Sequence, residues 1–354
     1  MSSITDVAAM ARVSKATVSR VLSGQRTKED DIARRVRDAA EKLNYAANPA
    51  ASALRSDTTN AIGLVIPDPA TPLASRMLAA LDPEVNGAGK QLLVGVGDDL
   101  SIQEERVAAM LARHVDGLVV IPPKGLDPVF LDGYAEEAPI VQVSGRSTSF
   151  RVSWVGVDEA ASMQLVLRHL ADHNATSIAY LSGDVDSDEA AELFTTFQTN
   201  LSLMNLMSQA GWTTFGPCTV VRGYEEATRL FTAKGDRPDA VICATDEVAA
   251  GVLFALDRLG VSVPDEVRVI GSGDAPMGVA VTPKLTTLRS PCRLMAREAL
   301  RLIDMGNGGQ HWMPAHVAFP PQLIRRASTS SPRFGSSDMS VPSDDDDDAD
   351  DEGE

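Results

Sequence analysis

The chain has 354 residues, 44% hydrophobic and 23% charged, with a formal net charge of −17. That length suffices for two or three domains and a large buried core, and the composition is that of a soluble globular protein. No apolar run approaches the ~18–20 residues that would span a bilayer. The start "MSSITDVAAMARVSK" lacks the basic and apolar regions of a secretory signal, so a cytoplasmic protein without a membrane partner is expected.

Cys218, Cys243 and Cys292 stand in no paired or metal-like spacing, which suits buried thiols in a reducing compartment. His114, His169, His173, His311 and His316 are too scattered for a metal set. "GVGDD" lacks the third glycine of a dinucleotide fingerprint, and neither a phosphate loop nor a GxSxG elbow occurs. No cofactor and no enzyme activity are expected.

The acidity is unevenly placed. Residues 1–58 hold ten Lys or Arg against seven Asp or Glu, whereas residues 336–354, "SSDMSVPSDDDDDADDEGE", hold ten acids and no base. A basic head of this kind can meet phosphate.

In chain order, "ITDVAAMA" and "KATVSRVL" are two short helical patterns separated by "RVS". Ser14 stands where an N-cap belongs, and Ala8, Ala9 and Val13 are small or apolar enough for a close helix crossing. Two helices joined by so short a turn form a helix-turn-helix, whose second helix can enter the major groove. That helix would turn Lys15, Ala16 and Arg20 outward, with Thr17 and Ser19 able to donate to phosphates. A guanidinium or an ammonium on this face can reach the acceptors of guanine. A third helix is expected in "KEDDIARRVRDAAEKLNY", with Ile32, Val36, Ala39, Ala40 and Leu43 on one face and Thr27 with Asp30 forming a capping-box-like start.

From Ala61 the pattern changes to short Val- and Ile-rich runs alternating with amphipathic helices. "AIGLVIP", "QLLVGVG", "DGLVVIP" and "PIVQVSG" form one series. A second begins near "SWVGVDEAASMQLVLRHLADH" and runs through "SIAYLSG" and "PDAVICATDEVAAGVLFALDRLG" to "EVRVIGSGD". The fold class is therefore α/β: an all-α head, then two lobes of doubly wound, mostly parallel sheets. The expected divisions are a head at 1–47, a hinge at 48–58, a two-lobed body at 59–327 and a disordered acidic tail at 328–354.

"ITDVAAMARVSKATVSRVLSG", "VRDAAEKLNYAANPAASALR", "RHVDGLVVIPP", "VGVDEAAS" and "TPKLTTLRSP" together closely resemble LacI/GalR-type bacterial transcription regulators over about residues 3–326. The resemblance implies a body like that of periplasmic binding proteins. It also implies a homodimer bound to a pseudo-palindromic DNA operator, a small-molecule effector, and work in the bacterial cytoplasm on the nucleoid. Lys15, Ala16 and Arg20 fall where the family reads base edges; Thr5, Ser14, Thr17 and Ser19 fall where it meets phosphates. Tyr45, Asn48, Ala51, Leu54 and Arg55 complete the DNA-contacting set, with "NPAASALR" as the hinge helix and Leu54 as the minor-groove wedge. The family's C-terminal tetramerising heptads have no counterpart here.

The chain departs from the family at two places. "TKEDDIARR" replaces the usual start of the third helix, so Glu29, Asp30 and Asp31 would repel a phosphate there, with Lys28 or Arg26 to compensate. The positions that grip a sugar in relatives hold Leu73, Ala74, Leu193, Thr245 and Gly273. Common sugars should therefore bind poorly, since each lost hydrogen-bonding partner costs about 1–3 kcal/mol. Either the effector is less polar, met by Leu73, Leu193, Phe197, Thr245, Asp246 and Asp274, or no ligand is sensed. The leading function is thus a repressor. The rivals are an architectural DNA-binding regulator without ligand response and a solute-binding protein.

Overall fold

The computed structural model describes residues 3–22, 26, 30–43, 45, 59–123, 127–145, 147–184, 188–308 and 313–330. Three helices form the head: α1 (Ile4–Ala11), α2 (Lys15–Leu22) and α3 (Asp31–Lys42). Ser3 and Asp6 cap α1 reciprocally, and Arg12, at φ 54° in the left-handed region, ends it. Asp30 caps α3 by accepting the Ala33 N–H at 3.0 Å. The start expected at Thr27 with Asp30 is corrected accordingly: Asp30 is itself the cap, and Thr27 lies outside the described residues.

Helices this short do not persist alone, so their burial decides their stability. Val7, Ala8 and Ala11 of α1 pack with Val18 and Val21 of α2 and with Ala33, Val36, Ala39 and Ala40 of α3. Ala9, expected at the crossing, is exposed. The i, i+1, i+4 phase of Val7, Ala8 and Ala11 places the buried stripe one position away from it.

The rest divides into two compact units. The first takes residues up to Gly156 and then Cys292–Ala318; the second takes Val157–Pro291 and the chain from Phe319 onward. The first holds β1 (Ala61–Ile66), α4 (Pro72–Gly87), β2 (Gln91–Val96), α5 (Leu100–Leu111), β3 (Gly117–Val120), β4 (Ile140–Val143), β5 (Ser153–Val157), α11 (Cys292–Asn307) and β11 (His316–Phe319). Its sheet runs β11-β5-β4-β3-β1-β2, with the pairs from β5 through β2 parallel. A Cβ on Gly63 would strike Met110 of α5, and one on Gly117 would strike Ile303 of α11, so helices cover opposite faces.

The second unit holds α6 (Glu159–Asp172), β6 (Ile178–Leu181), α7 (Asp188–Leu203), β7 (Thr213–Thr214), α8 (Val220–Thr232), β8 (Ala240–Cys243), α9 (Asp246–Leu259), β9 (Arg268–Ser272), α10 (Met277–Ala280), β10 (Thr286–Arg289) and β12 (Gln322–Ile324). Its sheet runs β12-β10-β9-β8-β6-β7, parallel except for β12 against β10.

Two boundaries differ from expectation. "SWVGV", read as the start of the second series, is β5 and pairs with β4 in the first sheet. Ser328 and Thr329, expected in the tail, are fully buried. Ser328 Oγ donates to Val269 O at 2.6 Å and accepts the Thr286 N–H at 2.8 Å. Thr329 Oγ1 sits 2.9 Å from His169 Nε2. The fold therefore extends at least through Thr329.

Helices α8 and α9 cross with their backbones in contact. A Cβ at Gly223 would lie 2.0 Å from Val248 O, and one at Gly251 2.0 Å from Val220 O. Gly251→Ala should cost about 3 kcal/mol or more in urea unfolding, because backbone cannot yield as a side chain does. Gly87→Ala, where an added Cβ meets nothing within 4 Å, is the control and should be neutral or stabilising. Equal effects of the two substitutions would contradict the close crossing.

Candidate nucleic-acid interface

Helix α2 is placed by the apolar side that it buries, and that placement turns its polar side outward. Ser14 Oγ accepts the Thr17 N–H at 3.1 Å and shares a hydrogen bond with Thr17 Oγ1 at 2.9 Å, which fixes the first turn. Lys15, Ala16 and Arg20 are exposed, and Thr17 and Ser19 are half-buried. Arg20 Nε donates to Ala16 O at 3.4 Å, so its guanidinium lies along the same outward strip. Thr5 is exposed in the first turn of α1. The structure thus presents a cation pair flanked by hydroxyls, suited to acceptor groups of bases and to phosphate oxygens.

Tyr45 is half-buried, packed on the three-helix core. Asn48, Ala51, Leu54 and Arg55 lie outside the described residues. Arg26, expected to compensate for the acids of the third helix, pairs with Asp30 instead. Asp31 meets Arg35 at 3.7 Å, so two of the three acids there have cationic partners.

A second cluster of expected site residues lies in the second unit. The order β7-β6-β8-β9 reverses between β6 and β8, and α/β sheets bind ligands at the carboxyl ends of strands at such switch points. Thr245 and Asp246 follow β8 and Asp274 follows β9. Thr245 caps α9 by accepting the Val248 N–H at 3.4 Å. Asp246 is fully buried; it accepts from Thr287 Oγ1 at 2.6 Å and from the Ala275 N–H at 2.5 Å. Burial pushes its carboxyl up to about 6, against the opposing effect of those two hydrogen bonds.

Asp274 behaves oppositely. Burial disfavours its charge, yet Arg326 and Arg289 outweigh that and hold its carboxyl below the usual range. Arg289 Nε lies 2.7 Å from one oxygen and Arg326 Nη2 2.5 Å from the other. Its φ of 49° adds a left-handed turn to the same loop. Both acids, expected as ligand contacts, thus have internal partners that join α9, β10 and the C-terminal segment.

The remaining expected contacts are apolar. Phe197 is fully buried against Tyr180, with ring centroids 5.1 Å apart, so it is a core residue rather than a ligand wall. Leu193 packs on the same core cluster. In the first unit Leu73 is half-buried on the first turn of α4, and Ala74 is fully buried.

Sequence reading missed Arg222, whose buried guanidinium donates to Ser182 O, Gly216 O and Thr214 O at 2.7–3.0 Å. It braces the loops at the carboxyl ends of β6 and β7. Its place in an amphipathic helix pattern gave no signal of this role.

A helix-turn-helix head followed by two doubly wound lobes defines a DNA-binding regulator with a periplasmic-binding-protein-like body. Residues 3–48 match the family described as bacterial regulatory proteins, lacI family, and residues 167–329 match the periplasmic binding protein-like domain. The chain is 30% identical over 338 residues to the HTH-type transcriptional regulator GalR of Escherichia coli, covering 95% of this chain and 98% of that protein. It is 29% identical to the HTH-type transcriptional repressor PurR of Mannheimia succiniciproducens, covering 93% and 98%. The crystal structure of the lac repressor dimer bound to operator and the anti-inducer ONPF shares the fold, with a TM-score of 0.79 at 23% identity over 93% of this chain and 99% of that one. The chain belongs to the LacI family of bacterial regulatory proteins, and it is a DNA-binding transcription regulator.

The buried acids give a pH test. With its carboxyl at about 6 when folded, above the 3.8 ordinary for an aspartate, Asp246 binds a proton more tightly in the folded chain. Its contribution to stability therefore falls as pH rises from about 4 to 6, by up to ~3 kcal/mol. His169, lowered to about 4 mainly by burial, acts in the opposite sense over an overlapping range, so the comparison must be with a variant. Asp246→Asn should gain stability relative to the parent between pH 4.5 and 7.5 in urea titrations. A difference that does not change with pH would contradict the buried, proton-binding carboxyl.

Proposed function

We propose that the chain is a cytoplasmic, nucleoid-associated repressor that binds a pseudo-palindromic operator as a homodimer. The observation that carries this reading is the outward strip of Lys15, Arg20, Thr17 and Ser19 on a helix held in place by its buried side. Two-fold protein symmetry suits inverted half-sites. Exposed apolar side chains support a dimer: Val94 and Val96 on the edge strand β2, Val221 on α8, and Phe254 on α9. An exposed strand edge of this kind is ordinarily covered or paired.

The hinge at 48–58, with Leu54 as its wedge, belongs to the same proposal and rests on sequence alone. The effector is proposed to be a small molecule other than a common sugar. The polar anchors of a sugar site are replaced by Leu73, Leu193 and Thr245, and Asp246 and Asp274 already have internal partners. That last observation also favours a second reading, a regulator that answers no ligand.

Genome-wide mapping of bound sites supplies the operator for the decisive test. Arg20→Ala should weaken operator binding by about 1–3 kcal/mol and relax base preference at one position in each half-site. An unchanged affinity and an unchanged base preference would remove Arg20 from the recognition surface.

A further inference from the structure

We infer that Arg12 is a phosphate-binding residue of the head, held at the edge of the DNA groove by a backbone conformation that does not suit its side chain. The inference rests on the reading of α2 as the helix that enters the groove. Arg12 closes α1 at φ 54°, in the left-handed region. Among the described residues seven non-glycine residues have a positive φ, and the other six are asparagine, aspartate, histidine or serine. Asparagine, aspartate and histidine are the types that enter this region most readily. Arg12 alone of the seven carries a long aliphatic stem, at a helix end where glycine is the usual residue.

The conformation is imposed by its neighbours. Ala11 is buried and Val13 packs on the three-helix core. The Val13 N–H donates to Ala8 O at 3.0 Å and the Arg12 N–H to Ala9 O at 3.3 Å, which closes the last turn of α1. Between those anchors Arg12 turns to solvent, and its guanidinium has no hydrogen bond or ion pair among the described residues. A strained residue without an internal partner points to a partner outside the fold.

The position fits a phosphate. Arg12 lies three residues before Lys15, so their Cα atoms are at most ~11 Å apart. The amino-terminal turn of a recognition helix is the part that meets base edges, and the major groove is ~12 Å wide. A cation just outside that turn faces the sugar–phosphate backbone at the edge of the groove rather than the bases. A guanidinium there can hold two phosphate oxygens at once. Arg12 thus adds to affinity for any duplex and nothing to the choice among sequences.

The test compares the full-length parent with Arg12→Gly, which removes the cation and relieves the turn, and with Arg12→Lys, which keeps both charge and strain. Affinities for operator and for a random duplex are measured from 50 to 300 mM salt, and base preference by selection from a random pool. Hydrogen exchange of the α1 and α3 amides reports the stability of the head. Each phosphate contact contributes ~0.9 to the slope of log affinity against log salt, so the two heads of a dimer should lose ~1.8 in Arg12→Gly. With that change of slope, a loss of about fiftyfold at 50 mM shrinks to about twofold at 300 mM, for both duplexes alike. Base preference should stay as in the parent, and exchange in the head should be unchanged or slower. Arg12→Lys should keep the parent's slope and bind within about threefold of it. An unchanged slope in Arg12→Gly overturns the inference. So does faster exchange in the head, which assigns the loss to the fold, or a changed base preference, which makes Arg12 a base contact. Absence of any operator preference in the parent would instead defeat the reading of α2, and the inference with it.

Discussion

The DNA-facing surface depends on the burial of Val7, Val18 and Val36 against one another at the centre of the head. All three are fully buried, and they come from three different helices. Two of those helices have only eight residues each, too few to be stable without packing. Once Val18 and Val21 point inward, the 3.6-residue period leaves Lys15, Ala16 and Arg20 no place but outside. The polar strip is thus a consequence of apolar packing, and a change in that core would misdirect the strip without touching it.

In the second unit two acids near the ends of neighbouring strands are engaged inside the fold. Asp246 and Asp274 lie at the carboxyl ends of neighbouring strands, where ligands approach α/β sheets. Here one is held ionised by two arginines and the other is buried with a hydroxyl and a backbone N–H. The pair fastens the C-terminal segment through Arg326, a role in stability that needs no ligand. Both acids are thus engaged within the fold itself.

Much of this was legible in the sequence, for physical reasons. Capping residues and apolar phase located α1 and α2, and Ser14 caps α2 through the Thr17 N–H. Val- and Ile-rich runs located β1, β3 and β4, because strands buried on both faces leave a continuous apolar signal. What local pattern could not show was which sheet a strand joins. β5 reads like the opening of the second series and yet pairs with β4. Nor could it show that Ser328 and Thr329 are buried, since their partners Val269, Thr286 and His169 are 40 or more residues away. Phe197, an expected effector contact by family resemblance, instead fills the core beside Tyr180.

The most direct measurement is repeated selection of duplexes from a random pool by the purified full-length chain. If the outward strip of α2 reads base edges in a symmetric pair of heads, the enriched sequences should converge on two copies of one half-site in inverted orientation. A pool that shows no enrichment, or that converges on a single uninverted motif, would contradict a dimeric, sequence-reading head.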